Sequence, residues 1–177
     1  MNSRSLASWF LIIGPILCFA TFPFWPQMPT ASEELIELVK NSQLSLLLMI
    51  SFATGMTLLF CGLSMASREV AGSDTKNSSL AIPAAILFPI AMAVIAIGIA
   101  FNIGALQMYE TSPDMAQSVY LIGYYSFEGT GVCLFLSFAL LGTALITGYE
   151  SMICKICLLY TSPSPRDATL SRIPSSA

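Results

Sequence analysis

Residues 80–108 read LAIPAAILFPIAMAVIAIGIAFNIGALQM, and neither they nor Tyr109 carry a formal charge. At helical rise this stretch makes a rod of ~44 Å, longer than the ~30 Å hydrocarbon core of a bilayer. Inside that core a backbone must satisfy its own N–H and C=O groups, which a helix does within one segment. The stretch therefore decides the fold class: it is a membrane-spanning helix. Pro83 falls in its first turn, where proline is tolerated, whereas Pro89 lies inside and is expected to kink it.

Three further segments have the length and apolar character of spans, at about 6–25, 44–65 and 119–149. Composition agrees: 55% of residues are hydrophobic and 10% charged, and the mean hydropathy is +0.76. A soluble domain carries about a quarter charged residues. The first span has Trp9 and Phe10 near one end and Phe22, Phe24 and Trp25 at the other, a spacing that fits two interfacial aromatic belts. No A-x-A cleavage site follows it, and Leu17 before Cys18 does not suit lipoprotein processing, so a retained helix is expected.

Between the first two spans lies a polar connection, 26–43, with a short helical pattern over 30–40. Thr30 followed by Glu33 reads as a capping box. Leu35, Ile36, Leu38 and Val39 then form an apolar face, with Glu33, Glu34 and Glu37 opposite. The expectation is an amphipathic helix at the membrane surface or against the bundle, whose carboxylates make a solvated acidic face rather than a ligand site. In the second span Ser51, Gly55, Gly62 and Ala66 include two small-xxx-small pairs suited to close helix contact. A polar loop with Arg68, Glu69, Asp74 and Lys76 is expected over 66–79, and a short one with Glu110, Pro113 and Asp114 before the fourth span.

Basic residues set the orientation. Arg4, the pair Arg68 and Lys76, and Lys155 flank the spans on one side. The 26–43 connection has one lysine against three glutamates, and the loop before the fourth span has no basic residue. The positive-inside rule then puts both ends of this stretch in the cytoplasm. With no basic run, nucleic acid is not expected as a partner.

Glu128 interrupts the fourth span and is the first candidate for a functional residue, because a carboxylate in a membrane is costly. It lies ~33 Å along the helix from Glu150, near the outer edge of the core rather than at its midplane. Tyr120, Tyr124 and Tyr125 lie just above it, as an outer aromatic belt would. Asn102, ~33 Å past residue 80, reaches a similar depth on the neighbouring helix. The two form a candidate intramembrane polar pair: a shared polar site, or simply a hydrogen bond tying two helices together, the favoured reading.

With no histidine in the chain, haem ligation through His, a histidine-rich zinc site and a Ser-His-Asp triad are excluded. There is no P-loop and no i, i+3 or i, i+4 carboxylate pair within the spans. No catalytic constellation and no cofactor are therefore expected.

Two resemblances add to this. Cys157-Leu-Leu-Tyr-Thr-Ser-Pro-Ser-Pro-Arg-Asp167 resembles the translation of a transposase-type sequencing adapter. Ser171-Arg-Ile-Pro-Ser-Ser-Ala177 resembles that adapter's flow-cell end, with Ile173 in place of methionine. The native message is then expected to stop near Lys155 or Ile156, leaving 157–177 as a disordered tail and the real protein longer. The C-x-x-C spacing of Cys154 and Cys157 is set aside, since Cys157 belongs to the tail. Omitting Arg166, Arg172 and Asp167 takes the seven basic and ten acidic residues to five and nine, a net charge of −4.

The layout of span, short helix and three spans, with Tyr120-Leu-Ile-Gly-Tyr-Tyr-Ser-Phe127 opening the fourth and Leu140-Leu-Gly-Thr-Ala-Leu-Ile146 closing it, resembles a bacterial integral-membrane family. That family is known only as a domain of unknown function and typically has about six spans, so the resemblance implies two further helices and no functional residues. The expected fold is all-α, an integral membrane bundle of four transmembrane helices plus one short amphipathic helix, truncated at the C-terminus. The expected role is structural, accessory or regulatory in a bacterial inner membrane, with a transporter or channel fragment as the alternative. Expected partners are the lipid bilayer and either a second copy or a partner membrane subunit.

Overall fold

The computed structural model describes residues 3–26 and 28–148; the adapter-like stretch and the C-x-x-C spacing lie outside them. Among the described residues there are five α-helices and no strand: α1 (Ser3–Thr21), α2 (Ala31–Lys40), α3 (Ser42–Ala71), α4 (Ala81–Met108) and α5 (Pro113–Gly148). All but α2 are long and apolar enough to cross a membrane. The chain is thus a membrane protein built as an all-α bundle with one short amphipathic helix.

Local sequence explains the helix ends. Thr30 is extended, and its Oγ1 accepts the Glu33 N–H at 3.3 Å, which caps α2. Glu33 and Glu34 in the first turn of α2 and Lys40 in its last complement the helix dipole. Two boundaries differ from the hydropathy reading. α3 continues to Ala71, past the apolar run, and carries Arg68 in its last turn, where a cation faces the negative end of the dipole. α5 starts at Pro113 with Asp114 in its first turn, so residues assigned to a loop instead open the helix. α4 passes through Pro89 as one uninterrupted helix.

Packing is sequential: α1 lies on α3, α3 on α4 and α4 on α5, while α2 lies across one end and touches the last three. Small residues set the two closest crossings. A Cβ on Gly14 would come within 2.6 Å of the Leu59 nitrogen and 2.9 Å of the Gly55 oxygen. A Cβ on Gly123 would overlap the Asn102 side chain and lie 2.7 Å from the Gly98 oxygen. Backbones that approach this closely gain dispersion contact, the main attraction between helices in lipid. In the core, Phe88 is fully buried, with its ring 6.0 Å from Phe60 and edge-on to Phe138 at 5.2 Å. At the end away from α2, Arg4 pairs with Glu69 at 3.1 Å, joining α1 to α3. That pair is exposed and contributes little.

Candidate functional site

The end of the bundle covered by α2 holds a cavity of about 310 Å3. Thr21 and Phe22 at the end of α1, followed by Trp25, form one side. Glu34 of α2 forms the lid, Met49 and Phe52 of α3 with Ile99 and Asn102 of α4 the inner wall, and Tyr120, Tyr124, Phe127 and Glu128 of α5 the far side. Five separate segments therefore meet at one space. Phe52 is the hub of its aromatic wall, with Phe22 edge-on at 6.1 Å, Trp25 at 6.3 Å and Phe127 at 6.5 Å.

Glu34 is the residue that the sequence reading missed. Its carboxylate is not on a solvated face: the residue is 8% exposed. Trp25 Nε1 donates to its Oε1 at 2.6 Å, and the Tyr120 hydroxyl donates to the same oxygen at 2.9 Å. A buried carboxylate without donors would cost several kcal/mol, so these two bonds are what make the position tolerable. Helical spacing held the signal. Glu34 precedes Leu38 by one turn, so burying Leu38 at 1% exposure carries Glu34 to the same face. Ile36, assigned to the apolar face, is instead 45% exposed.

Tyr120 also departs from its expected role. It is 1% exposed and belongs to the core, whereas Tyr124 and Tyr125 are exposed as belt residues are. Trp25 is likewise drawn inward onto Glu34, while Trp9 stays 54% exposed. A second link between α2 and α5, from Gln117 Nε2 to Ser32 Oγ, holds the lid in register.

Asn102 and Glu128 are both on the cavity wall, but no hydrogen bond joins them. Glu128 is exposed. Asn102 is 5% exposed, packs against Gly123, and its Oδ1 is buried without a donor among the described residues. The helix-tying bond expected of this pair is therefore replaced by a shared cavity wall. An unmatched buried carbonyl of this kind costs ~1–3 kcal/mol.

The arrangement offers polar binding groups on a mainly apolar wall. The Thr21 hydroxyl donates to the Cys18 carbonyl at 2.7 Å. Among the described residues no group of three or more acidic or cysteine side chains is arranged to hold a metal ion. Comparison of the chain with protein-family models, with curated proteins and with solved structures finds no match.

Proposed function

We propose that this is a non-enzymatic multi-pass protein of a bacterial inner membrane, with an accessory or regulatory role exerted by binding a small ligand. The binding site is the cavity under α2, and the chain is oriented with both ends of the described bundle in the cytoplasm. The cavity then opens near the outer face of the membrane. The observation that carries this reading is the cavity itself. At about 310 Å3 it falls in the ~300–1,000 Å3 range of small-molecule sites, with the mainly apolar wall and few polar groups such sites have. A buried carboxylate facing an apolar space is also a feature that stability alone does not favour.

Trp25 makes the test direct. In the full chain carrying Trp9→Phe, reconstituted in zwitterionic nanodiscs, Trp25 is the only indole left. Six-carbon probes with different head groups should change its emission saturably, and Ile99→Phe, which narrows the cavity, should weaken the response. If no probe gives a saturable change, the ligand-binding reading fails.

A transporter or channel is the second reading. Support for it comes from Glu128 and Asn102 lining one cavity, since polar residues within spans mark substrate and ion paths. It requires proteoliposomes to show flux that Glu128→Gln abolishes without loss of fold.

A further inference from the structure

We infer that the ligand of this cavity is a protonated primary or secondary amine carrying a short apolar body. This inference rests on the ligand-binding reading above and adds the chemistry of what is bound.

Charge is the first argument. Among the described residues, Glu34 and Glu128 both line the cavity and no Lys or Arg does. The nearest lysine in sequence to Glu34, Lys40, pairs with Glu37 on α2, which lies outside the cavity wall. A mainly apolar space with one buried and one exposed carboxylate and no built-in cation favours a cationic guest.

Hydrogen-bond bookkeeping at the same carboxylates is the second. The indole N–H of Trp25 and the hydroxyl of Tyr120 are both spent on Glu34 Oε1, and the Thr21 hydroxyl on the Cys18 carbonyl. The acceptors left are Glu34 Oε2 and the Glu128 carboxylate, since Asn102 Oδ1 is fully buried against Gly123 and out of a guest's reach. Against these stand, among the described side chains, the Tyr124 hydroxyl and the Asn102 amide N–H. The wall is thus short of donors. An ammonium group brings two or three N–H donors and no acceptor, which is the complement of this surface.

The aromatic wall is the third. Trp25, Phe52 and Phe127 form a connected cluster of rings along the cavity. Ring faces attract a cation electrostatically and pack against an alkyl or aryl body. Ammonium and apolar tail are then both accommodated in one space.

The test uses four probes on one hexyl chain: hexylamine, hexyltrimethylammonium, 1-hexanol and hexanoate. Each is titrated against the Trp9→Phe full chain in zwitterionic nanodiscs, with empty nanodiscs as the partition control. Hexylamine should bind tightest, by about tenfold over hexanol, as expected for charge-assisted over neutral hydrogen bonds. Hexyltrimethylammonium, a cation without N–H donors, should fall between them, and hexanoate should bind weakest. Glu128→Gln and Glu34→Gln should each reduce the preference for amine over alcohol. Glu33→Gln, on the exposed face of α2, should leave it unchanged.

Equal binding of hexanol and hexylamine would overturn the amine inference while leaving the ligand cavity in place. Hexyltrimethylammonium binding as tightly as hexylamine would overturn the requirement for N–H donors. An equal loss of preference in Glu33→Gln would reduce the effect to surface charge and overturn the assignment to this cavity. Failure of every probe to saturate would remove both the inference and the ligand-binding reading.

Discussion

Ser64 on α3 makes good the donor that Pro89 removes from α4: its Oγ donates to the Ala85 carbonyl at 2.9 Å. Ala85 precedes Pro89 by four residues, so its carbonyl is the one a proline leaves without an intrahelical N–H. In lipid no water can take that place. Both Ser64 and Ala85 are buried at the α3–α4 contact. The relationship predicts that Ser64→Ala destabilises the bundle by ~1 kcal/mol, within the range for interhelical bonds in membranes. Pro89→Ala should restore the missing N–H and so abolish the effect of Ser64→Ala. A double-mutant cycle in unfolding experiments would read this as a coupling energy, and additive effects would refute it.

Glycine substitutions should divide sharply by position. Gly123→Ala drives a methyl into Asn102 and the Gly98 carbonyl, an overpacking expected to cost about 1–3 kcal/mol. Gly129→Ala meets nothing within 4 Å and should leave the thermal midpoint unchanged. Midpoints of the two variants in the same detergent decide the matter.

Glu34 should behave as a hydrogen-bond acceptor that organises the lid. Glu34→Ala strands the donors of Trp25 and Tyr120, at a cost of about 1–3 kcal/mol. Tyr120→Phe removes one of the two bonds and should cost less. Glu34→Gln keeps an acceptor oxygen and should be close to silent for folding. With Trp9→Phe in the background, Trp25 emission should shift in Glu34→Ala and stay put in Glu34→Gln.

The orientation can be read chemically. In a variant lacking the native cysteines, Glu33→Cys in the exposed face of α2 should react with a membrane-impermeant maleimide on intact cells. Asp74→Cys, exposed in the turn between α3 and α4, should react only after permeabilisation. Labelling in the reverse pattern would invert the topology.

The architecture was legible in the sequence because hydropathy is additive along a chain. A run of uncharged apolar residues must be helical in lipid whatever surrounds it, so the four spans needed no knowledge of packing. The α2 helix was legible for a local reason too, since Thr30 and Glu33 are three residues apart and cap it without outside help. Arg68 and Pro113 were assigned to loops because helix ends extend beyond the apolar run, where hydropathy is silent.

The site was decided by tertiary structure. α4 is apolar on nearly every side, so its pattern does not say which face meets α5 or that Asn102 meets Gly123. Glu128 and Asn102 could be picked out one at a time as polar residues at matching depth, but whether they share a bond or a cavity depends on helix rotation. Glu34 depends on it most. Its partners lie 9 and 86 residues away, and only the packing of α2 against α5 brings the Tyr120 hydroxyl to a carboxylate that composition alone assigned to water. A hydrogen bond is fixed by distances of a few tenths of an ångström, and no one-dimensional pattern carries that information across 86 residues.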